Sequence, residues 1–181
     1  MHSETMDEAR LGGELRAVAA GARRRAARDG DRQADTAHLL HSLLENDPRA
    51  RSAVGERQLV RVLGYLVQRS IGYGMRWHGS VEGPESGPET ASVPGAAGSG
   101  WSPSAAAAIS GAAARARDRG VAQPNGTDLL AALASDPQSR AAEVLRRTGT
   151  DPRRLLAGLP DQRPPRPRDV SCYGGDGTVA S

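Results

Sequence analysis

The sequence predicts an all-α fold, a pseudo-twofold bundle of two four-helix repeats with about eight helices. Apolar residues recur at three- and four-residue spacing, the period of one helical face. N-capping residues and Pro precede several of these segments, and Gly follows the longer ones. Aromatic residues make up only 3% of the chain and Phe is absent, so Leu, Val and Ala must form the core. Such a core favours closely packed helices over a β-sandwich.

The first predicted repeat spans residues 11–71. Its opening helix has one apolar face, formed by Leu15, Val18, Ala19, Ala22 and Ala26. Asp35 or Thr36 caps a second helix with an inward stripe of Leu39, Leu40, Leu43 and Leu44. Asp47-Pro48 begins a third, and the most apolar segment, 59–71, predicts a buried helix in the middle of the domain.

The second predicted repeat spans residues 101–159 and begins at Trp101. Ser102 is a favourable N-cap, and Pro103 suits the first helical turn because its φ is fixed and its N–H is absent. The further helix starts are predicted at Asn125 or Thr127, at Asp136-Pro137 and at Asp151-Pro152. This half therefore also predicts four short helices.

The two halves resemble each other at an offset of 90 residues. Arg28-Asp29-Gly30 matches Asp118-Arg119-Gly120, and His38-Leu39-Leu40 matches Asp128-Leu129-Leu130. A helical unit that occurs twice in the sequence predicts two halves that pack face to face, since each half alone buries too little apolar surface.

The remaining segments are polar or rich in Gly, Pro and Ser. We expect residues 1–10 to be a lead-in, residues 72–100 a flexible linker and residues 160–181 a disordered tail. Cys172 is the single cysteine, which excludes an internal disulfide. No apolar run reaches the roughly 18 residues of a membrane span, and the start is polar, so a cytoplasmic protein without membrane contact is expected.

These capped helices resemble the Clp N-terminal domain, the double-repeat substrate and adaptor module of AAA+ protein unfoldases. Trp101-Ser102-Pro103 is similar to the family's aromatic-Thr-Pro helix start, and residues 116–120 to its A-R-x-x-G helix end. Residues 36–40 and 126–130 resemble its G-T-E-H-I/L-L motif, and residues 140–156 its RAARVLxxLGVDxxxL segment. The resemblance covers about 11–159 and implies a pseudo-twofold all-α bundle.

Two departures from the family pattern limit the implied activity. The chain contains no Lys and therefore no G-x-x-x-x-G-K-[ST] phosphate loop, so we expect it to lack the ATPase motor. In family members that read phosphoarginine tags, a Glu in this motif of each repeat supports the guanidinium, and at the corresponding positions, 90 residues apart, this chain has Ala37 and Thr127. Without those carboxylates the charge-assisted fork for a guanidinium is lost.

The resemblance implies a non-catalytic binding module that acts as adaptor, competitor or ligand sponge in Clp-dependent proteolysis. We expect a groove between the halves, around Leu11, Trp101, Ser102 and Thr127, to bind a Clp unfoldase, its substrates or adaptors, or a cyclic-peptide ligand. Trp101 matches the position where some family members contact cyclic-peptide antibiotics. We expect no cofactor, no metal and no enzymatic activity.

Several other residues invite functional interpretations. His38 and His41 are three residues apart, but we find no acid or cysteine at a complementary spacing and expect them to be structural. Cys172 lacks a positioned base, and Trp77 and Trp101 suit a core better than a ligand platform. The alternative function is an Arg-rich DNA-binding regulator, with contacts from Arg24 and Arg28.

Overall fold

The computed structural model describes residues 11–70, 82 and 100–159, which form eight α-helices. They are α1 (Gly13–Asp29), α2 (Thr36–Asn46), α3 (Pro48–Val54), α4 (Glu56–Ser70), α5 (Pro103–Asp118), α6 (Gly126–Ser135), α7 (Arg140–Arg147) and α8 (Pro152–Gly158). The predicted all-α class is confirmed, whereas the pseudo-twofold relation between the halves stays a prediction. Within these residues no helix is both long enough and apolar enough to cross a membrane.

Several sequence predictions lie outside the described residues. They are the lead-in 1–10, the tail 160–181 with Cys172, and the linker 72–100 with Trp77, apart from Glu82 and Gly100. The domain boundaries drawn through these segments therefore stay predictions.

The two central helices, α2 and α6, start in the same way. Asp35 caps α2 and accepts a hydrogen bond of 2.9 Å from the N–H of His38, while Asn125 caps α6 and accepts one of 3.0 Å from the N–H of Asp128. In each case the third helical residue reaches back to its cap, which forms a capping box. The two caps lie 90 positions apart, at the offset that the sequence motifs predict.

The longest helix of each half ends in a left-handed glycine. Gly30 has φ 75° and Gly120 has φ 74°, a conformation that other residues adopt only with strain. Asp31 and Val121, the residues after each glycine, donate hydrogen bonds of 2.9 and 3.0 Å to the carbonyl five positions earlier. These Schellman turns direct the chain from α1 towards α2 and from α5 towards α6.

The core lies where α2 and α6 meet the other helices. α2 packs against α1, α3, α4, α5, α6 and α7, and α6 contacts α2, α3, α5, α7 and α8. The predicted apolar face of α1 and the leucine stripe of α2 are buried as expected. Alanine fills much of the contact between α5 and α6, so these helices approach closely.

Helix α4 corrects the prediction of a buried central helix at 59–71. Only Val62 and Leu66 are buried, whereas Val60 is 72% exposed and Val67 is 48% exposed. The apolar content of the segment is high, but Arg and Gln also occur along the helix. Only one apolar stripe therefore forms, and it faces α2, α3 and α7. The helix therefore lies on the outside of the bundle.

The start of α7 is also corrected. The sequence predicts a helix start at Asp136-Pro137, but α7 begins at Arg140 with Ser139 as its N-cap. The side chain of Asp136 accepts a hydrogen bond of 2.9 Å from the N–H of Gln138 and so forms a turn. The Asp-Pro pair therefore starts a helix at Asp47-Pro48 and at Asp151-Pro152, but at Asp136-Pro137 it starts a turn.

Candidate functional site

All four residues predicted to surround the groove are buried in the structure. Leu11 is 3% exposed, Trp101 4%, Ser102 1% and Thr127 8%. None of the four lines the groove between α5 and α6 that is described below. Their role as direct ligand contacts stays a prediction.

Trp101 and Ser102 join the second half to the loop before α2. The N–H of Ala34 donates a hydrogen bond of 2.7 Å to the carbonyl of Gly100, and the N–H of Ser102 donates one of 2.9 Å to the carbonyl of Ala34. This is an isolated parallel β-bridge between Ala34 and Trp101. Thr127 has a local role, since its hydroxyl donates a hydrogen bond of 2.6 Å to the side chain of Asn125, the cap of α6.

The start of α2 carries a buried carboxylate from the predicted linker. The N–H of Thr36 donates a hydrogen bond of 2.8 Å to Oε2 of Glu82, and the N–H of Arg140 donates one of 2.6 Å to Oε1. The hydroxyl of Ser102 donates to Oε2 at 3.0 Å, and that of Thr36 donates to Oε1. We call these four residues the carboxylate site.

The carboxylate site satisfies groups at three helix starts. Thr36 is the first residue of α2, Arg140 the first residue of α7, and Ser102 the N-cap of α5. The first N–H groups of a helix have no partner within the helix and attract negative charge. One carboxylate therefore connects both halves, and Glu82 is only 6% exposed. The sequence gives no local signal that separates Glu82 from Glu85 and Glu89 of the same segment.

Asp35 forms an ionic network beside the carboxylate site. Its Oδ2 accepts hydrogen bonds of 2.8 Å from Arg69 and 2.7 Å from Arg140. Burial raises the pKa of this carboxyl, but the hydrogen bond and charge of His38, with Arg69 and Arg140, outweigh burial and hold the pKa well below its usual range. Asp35 is therefore ionised and links α2, α4 and α7.

A groove of about 340 Å³ runs along the surface between α5 and α6. Its wall contains the small residues Ala107, Ala108, Gly111 and Ala132. Thr36 of the carboxylate site also lines this groove, so the two features adjoin. Neither the groove nor the carboxylate site is visible in a local sequence pattern.

The histidines of α2 are both buried. His41 has Nε2 3.4 Å from Oε1 of Glu45. Burial and the charge of Arg25 lower the pKa of His41 to about 4, against the opposing effect of Glu45. Nε2 of His38 faces Asp29 and Asp31, a grouping that the spacing of these residues in the sequence does not reveal.

Some arginines of α1 contact other side chains, and others are exposed to solvent. Arg23 lies over the ring of Trp101, 4.7 Å from its centroid, and Arg25 forms an ion pair with Glu45. Arg24 and Arg28 are exposed, as expected for a solvated helix face. The DNA-binding alternative that names these two residues stays a prediction.

No protein-family model matches the chain, and no curated protein matches it. The function proposed below therefore depends on the fold, the groove and the sequence resemblance described above.

Proposed function

We propose that the chain is a non-catalytic peptide-binding module, related to the substrate- and adaptor-binding N-terminal domain of Clp unfoldases. The observation that carries this proposal is the groove between α5 and α6, with its alanine wall and polar ends. Small side chains leave the helix backbones accessible to an extended ligand and favour aliphatic contacts.

The dimensions of the groove fit a short peptide segment. Ser104 and Arg115 of α5 both line it and are eleven residues apart, which corresponds to roughly 16 Å along a helix. An extended peptide rises roughly 3.3 Å per residue, so about five residues fit this length.

The polar groups of the groove favour a charged peptide. Arg115 offers a positive charge three helical turns from Ser104, and Asp136 lies with Thr36 and Ser139 in the remaining wall. An occupant with an aliphatic centre and charges of both signs at its ends would complement this pattern. Peptide segments supply these features, and we take an unfolded or adaptor-derived segment as the ligand class.

Such a module would act in the cytoplasm. It would bind substrates, adaptors or cyclic-peptide ligands of a full-length Clp unfoldase, or the unfoldase itself. As adaptor it would speed proteolysis of the bound substrate, and as competitor or sponge it would slow it. The sign of this effect separates these roles.

The test is a titration of the purified chain into a proteolysis assay with a recombinant Clp unfoldase and its peptidase. A fluorescent unfolded substrate reports the rate, and direct binding to that substrate is followed by fluorescence anisotropy. The variant Ala107→Arg places a long charged side chain in the groove at an exposed position, so we expect at least a tenfold loss of binding.

The matched control is Ala17→Arg. Ala17 is exposed on α1, and it lies 90 positions before Ala107 in the equivalent helix of the first half. The control should bind as the parent chain does. If the parent chain neither binds nor alters proteolysis, or if both variants bind equally, the groove is not a peptide site and this proposal is wrong.

A further inference from the structure

We propose that Asp29, Asp31 and His38 form a binding site for a divalent transition-metal ion, and that Zn²⁺ is the ion that suits it best. This metal site lies at the turn between α1 and α2, and it is separate from the groove between α5 and α6. It adds a function to the chain that does not depend on peptide binding.

The backbone brings the three residues together. Asp29 is the last residue of α1, and the left-handed Gly30 turns the chain so that Asp31 follows close to it. His38 lies in the first turn of α2, which packs against α1. Because a Schellman turn and a capping box fix these positions, the ligand atoms are pre-organised by rigid elements.

The distances match a zinc site. Nε2 of His38 lies 3.4 Å from Oδ2 of Asp29 and 3.4 Å from Oδ2 of Asp31. One ligand atom from each residue lies within 4.8 Å of the other two. Tetrahedral Zn²⁺ has ligand bonds of roughly 2.0–2.1 Å, so neighbouring ligand atoms are separated by about 3.3 Å. The two N–O distances of 3.4 Å agree with this separation between ligand atoms.

The imidazole of His38 points its unpartnered nitrogen at the two carboxylates. Its side chain is 2% exposed, and Nε2 makes no hydrogen bond within the described part of the chain. Buried polar atoms almost always have a partner, so this atom indicates a ligand that is not a protein group. This observation is independent of the two acids.

The other ring nitrogen fixes the orientation of the imidazole. Nδ1 of His38 lies 2.7 Å from Oδ1 of the ionised Asp35. Nδ1 also accepts a hydrogen bond of 3.2 Å from the N–H of Asp35, as part of the capping box. Both contacts of Nδ1 are therefore with Asp35, and Nε2 is the ring nitrogen that faces Asp29 and Asp31.

The surroundings allow an ion to enter from solvent. The side chain of Asp31 is 45% exposed, while Asp29 is 15% exposed and accepts a hydrogen bond of 3.1 Å from the hydroxyl of Ser70. Nη2 of Arg69 lies 4.0 Å from Oδ2 of Asp31, but it is held more closely by Asp35 at 2.8 Å. Three protein ligands leave the fourth position of a tetrahedral ion for water.

The second half supplies a natural comparison. The positions 90 residues later carry Arg119, Val121 and Asp128, and Arg119 forms a two-pronged ion pair with Asp128. The same backbone turn therefore carries an Arg–Asp ion pair in the second half, whereas the first half has two acids and a histidine in its place.

The test is Zn²⁺ binding by the full chain after treatment with a chelator, measured by calorimetry with the metal alone. We expect one equivalent to bind with an affinity that Asp31→Asn lowers by about tenfold or more. Asp31 is half-exposed, so this variant should fold, and circular dichroism checks this. The matched control Val121→Asn changes the equivalent position of the second half and should leave the affinity unchanged.

Two outcomes would overturn the proposal. Absence of Zn²⁺ binding by the parent chain would show that the three side chains do not form a metal site. Binding that Asp31→Asn leaves intact would place the ion elsewhere, for example at His41 and Glu45 or at residues outside the described part of the chain. Visible absorption of tetrahedral Co²⁺, lost in Asp31→Asn but kept in Val121→Asn, would support it further.

Discussion

The N–H of Arg140 donates a hydrogen bond of 2.6 Å to the carboxylate of Glu82, 58 positions earlier in the sequence. The same carboxylate accepts from the N–H of Thr36, so it caps α2 of the first half and α7 of the second. The hydroxyl of Ser102, the N-cap of α5, donates to it as well, so a residue of the predicted linker binds at three helix starts. Two of these helices, α5 and α7, belong to the half that follows Glu82 in the chain.

Replacement of this carboxylate should destabilise the fold. Glu82→Gln keeps one acceptor oxygen but turns an NH₂ group towards an N–H or hydroxyl donor. Hydrogen bonds to charged groups contribute roughly 1.5–3 kcal/mol, so we expect a loss of about 2 kcal/mol in the free energy of unfolding, measured by urea denaturation. The control Glu56→Gln changes an exposed acid of α4 and should stay within about 0.5 kcal/mol of the parent. Equal unfolding midpoints for both variants would contradict this prediction.

Gly126 is required by close packing against Asp47. A Cβ atom at Gly126 would overlap with Oδ2 and Cγ of Asp47, which is buried and caps α3. Gly126→Ala should therefore cost about 2–3 kcal/mol through overpacking and a displaced cap.

Gly64 is the matched control for this substitution. A Cβ atom there would meet nothing within 4 Å, so Gly64→Ala should stabilise α4 by about 0.5–1 kcal/mol. Thermal unfolding of both variants gives the comparison. A stable Gly126→Ala protein would show that Asp47 moves at little cost.

The buried His41 should make stability depend on pH in a defined window. Its pKa is lowered from 6.5 to about 4 by burial and Arg25, against Glu45 and Asp29. Below pH 6.5 the unfolded chain takes up a proton that the folded chain refuses until about pH 4. The contribution is therefore complete above the unfolded pKa and is lost as the pH falls through this window, by at most about 3 kcal/mol.

Urea denaturation at several pH values measures this effect, and His41→Gln removes the titrating group. We expect a flatter profile between pH 6.5 and 4 in the variant. The lowered pKa of Asp35 acts in a different window, because its stabilisation is lost only as the pH falls below the unfolded value of 3.8. An unchanged slope in His41→Gln would show that another group controls this range.

The ion pair between Arg119 and Asp128 should contribute strongly to stability. Asp128 is 2% exposed, and Nη2 of Arg119 donates a hydrogen bond of 2.6 Å to its Oδ2. Arg119→Gln leaves a buried carboxylate without its cation, which costs about 3 kcal/mol. Arg117→Gln removes an exposed charge two residues away and should cost less than about 1 kcal/mol, again by urea denaturation. Similar losses in both variants would mean that solvent screens Asp128.

The features that sequence predicts well here are local. The helix starts at Asp35, Asn125 and Ser102 follow from side chains that bond to the next turn, and the left-handed glycine ends follow from backbone sterics. Helix α4 shows the limit of this reasoning, since average apolarity does not tell whether one stripe or the whole circumference is covered.

The features that sequence missed are contacts between distant segments. Asp29 and Asp31 precede His38 by nine and seven positions, a spacing that fits neither one helix face nor a standard metal motif. The turn at Gly30 brings them together, and the spacing alone cannot show this. Glu82 is similar, because its partners are fixed by the packing of α2 against α7.

The two hydrogen bonds that join Ala34 to Gly100 and Ser102 also bear on how the protein folds. They close a very long stretch of chain, and closing such a loop loses entropy before any contact compensates for it. Because α2 packs on α7 and α3 on α6, neither half has its complete interior alone. We therefore expect fragments 11–70 and 100–159 to stay largely unstructured apart and to gain helicity when mixed, so that the intact chain unfolds in one cooperative transition.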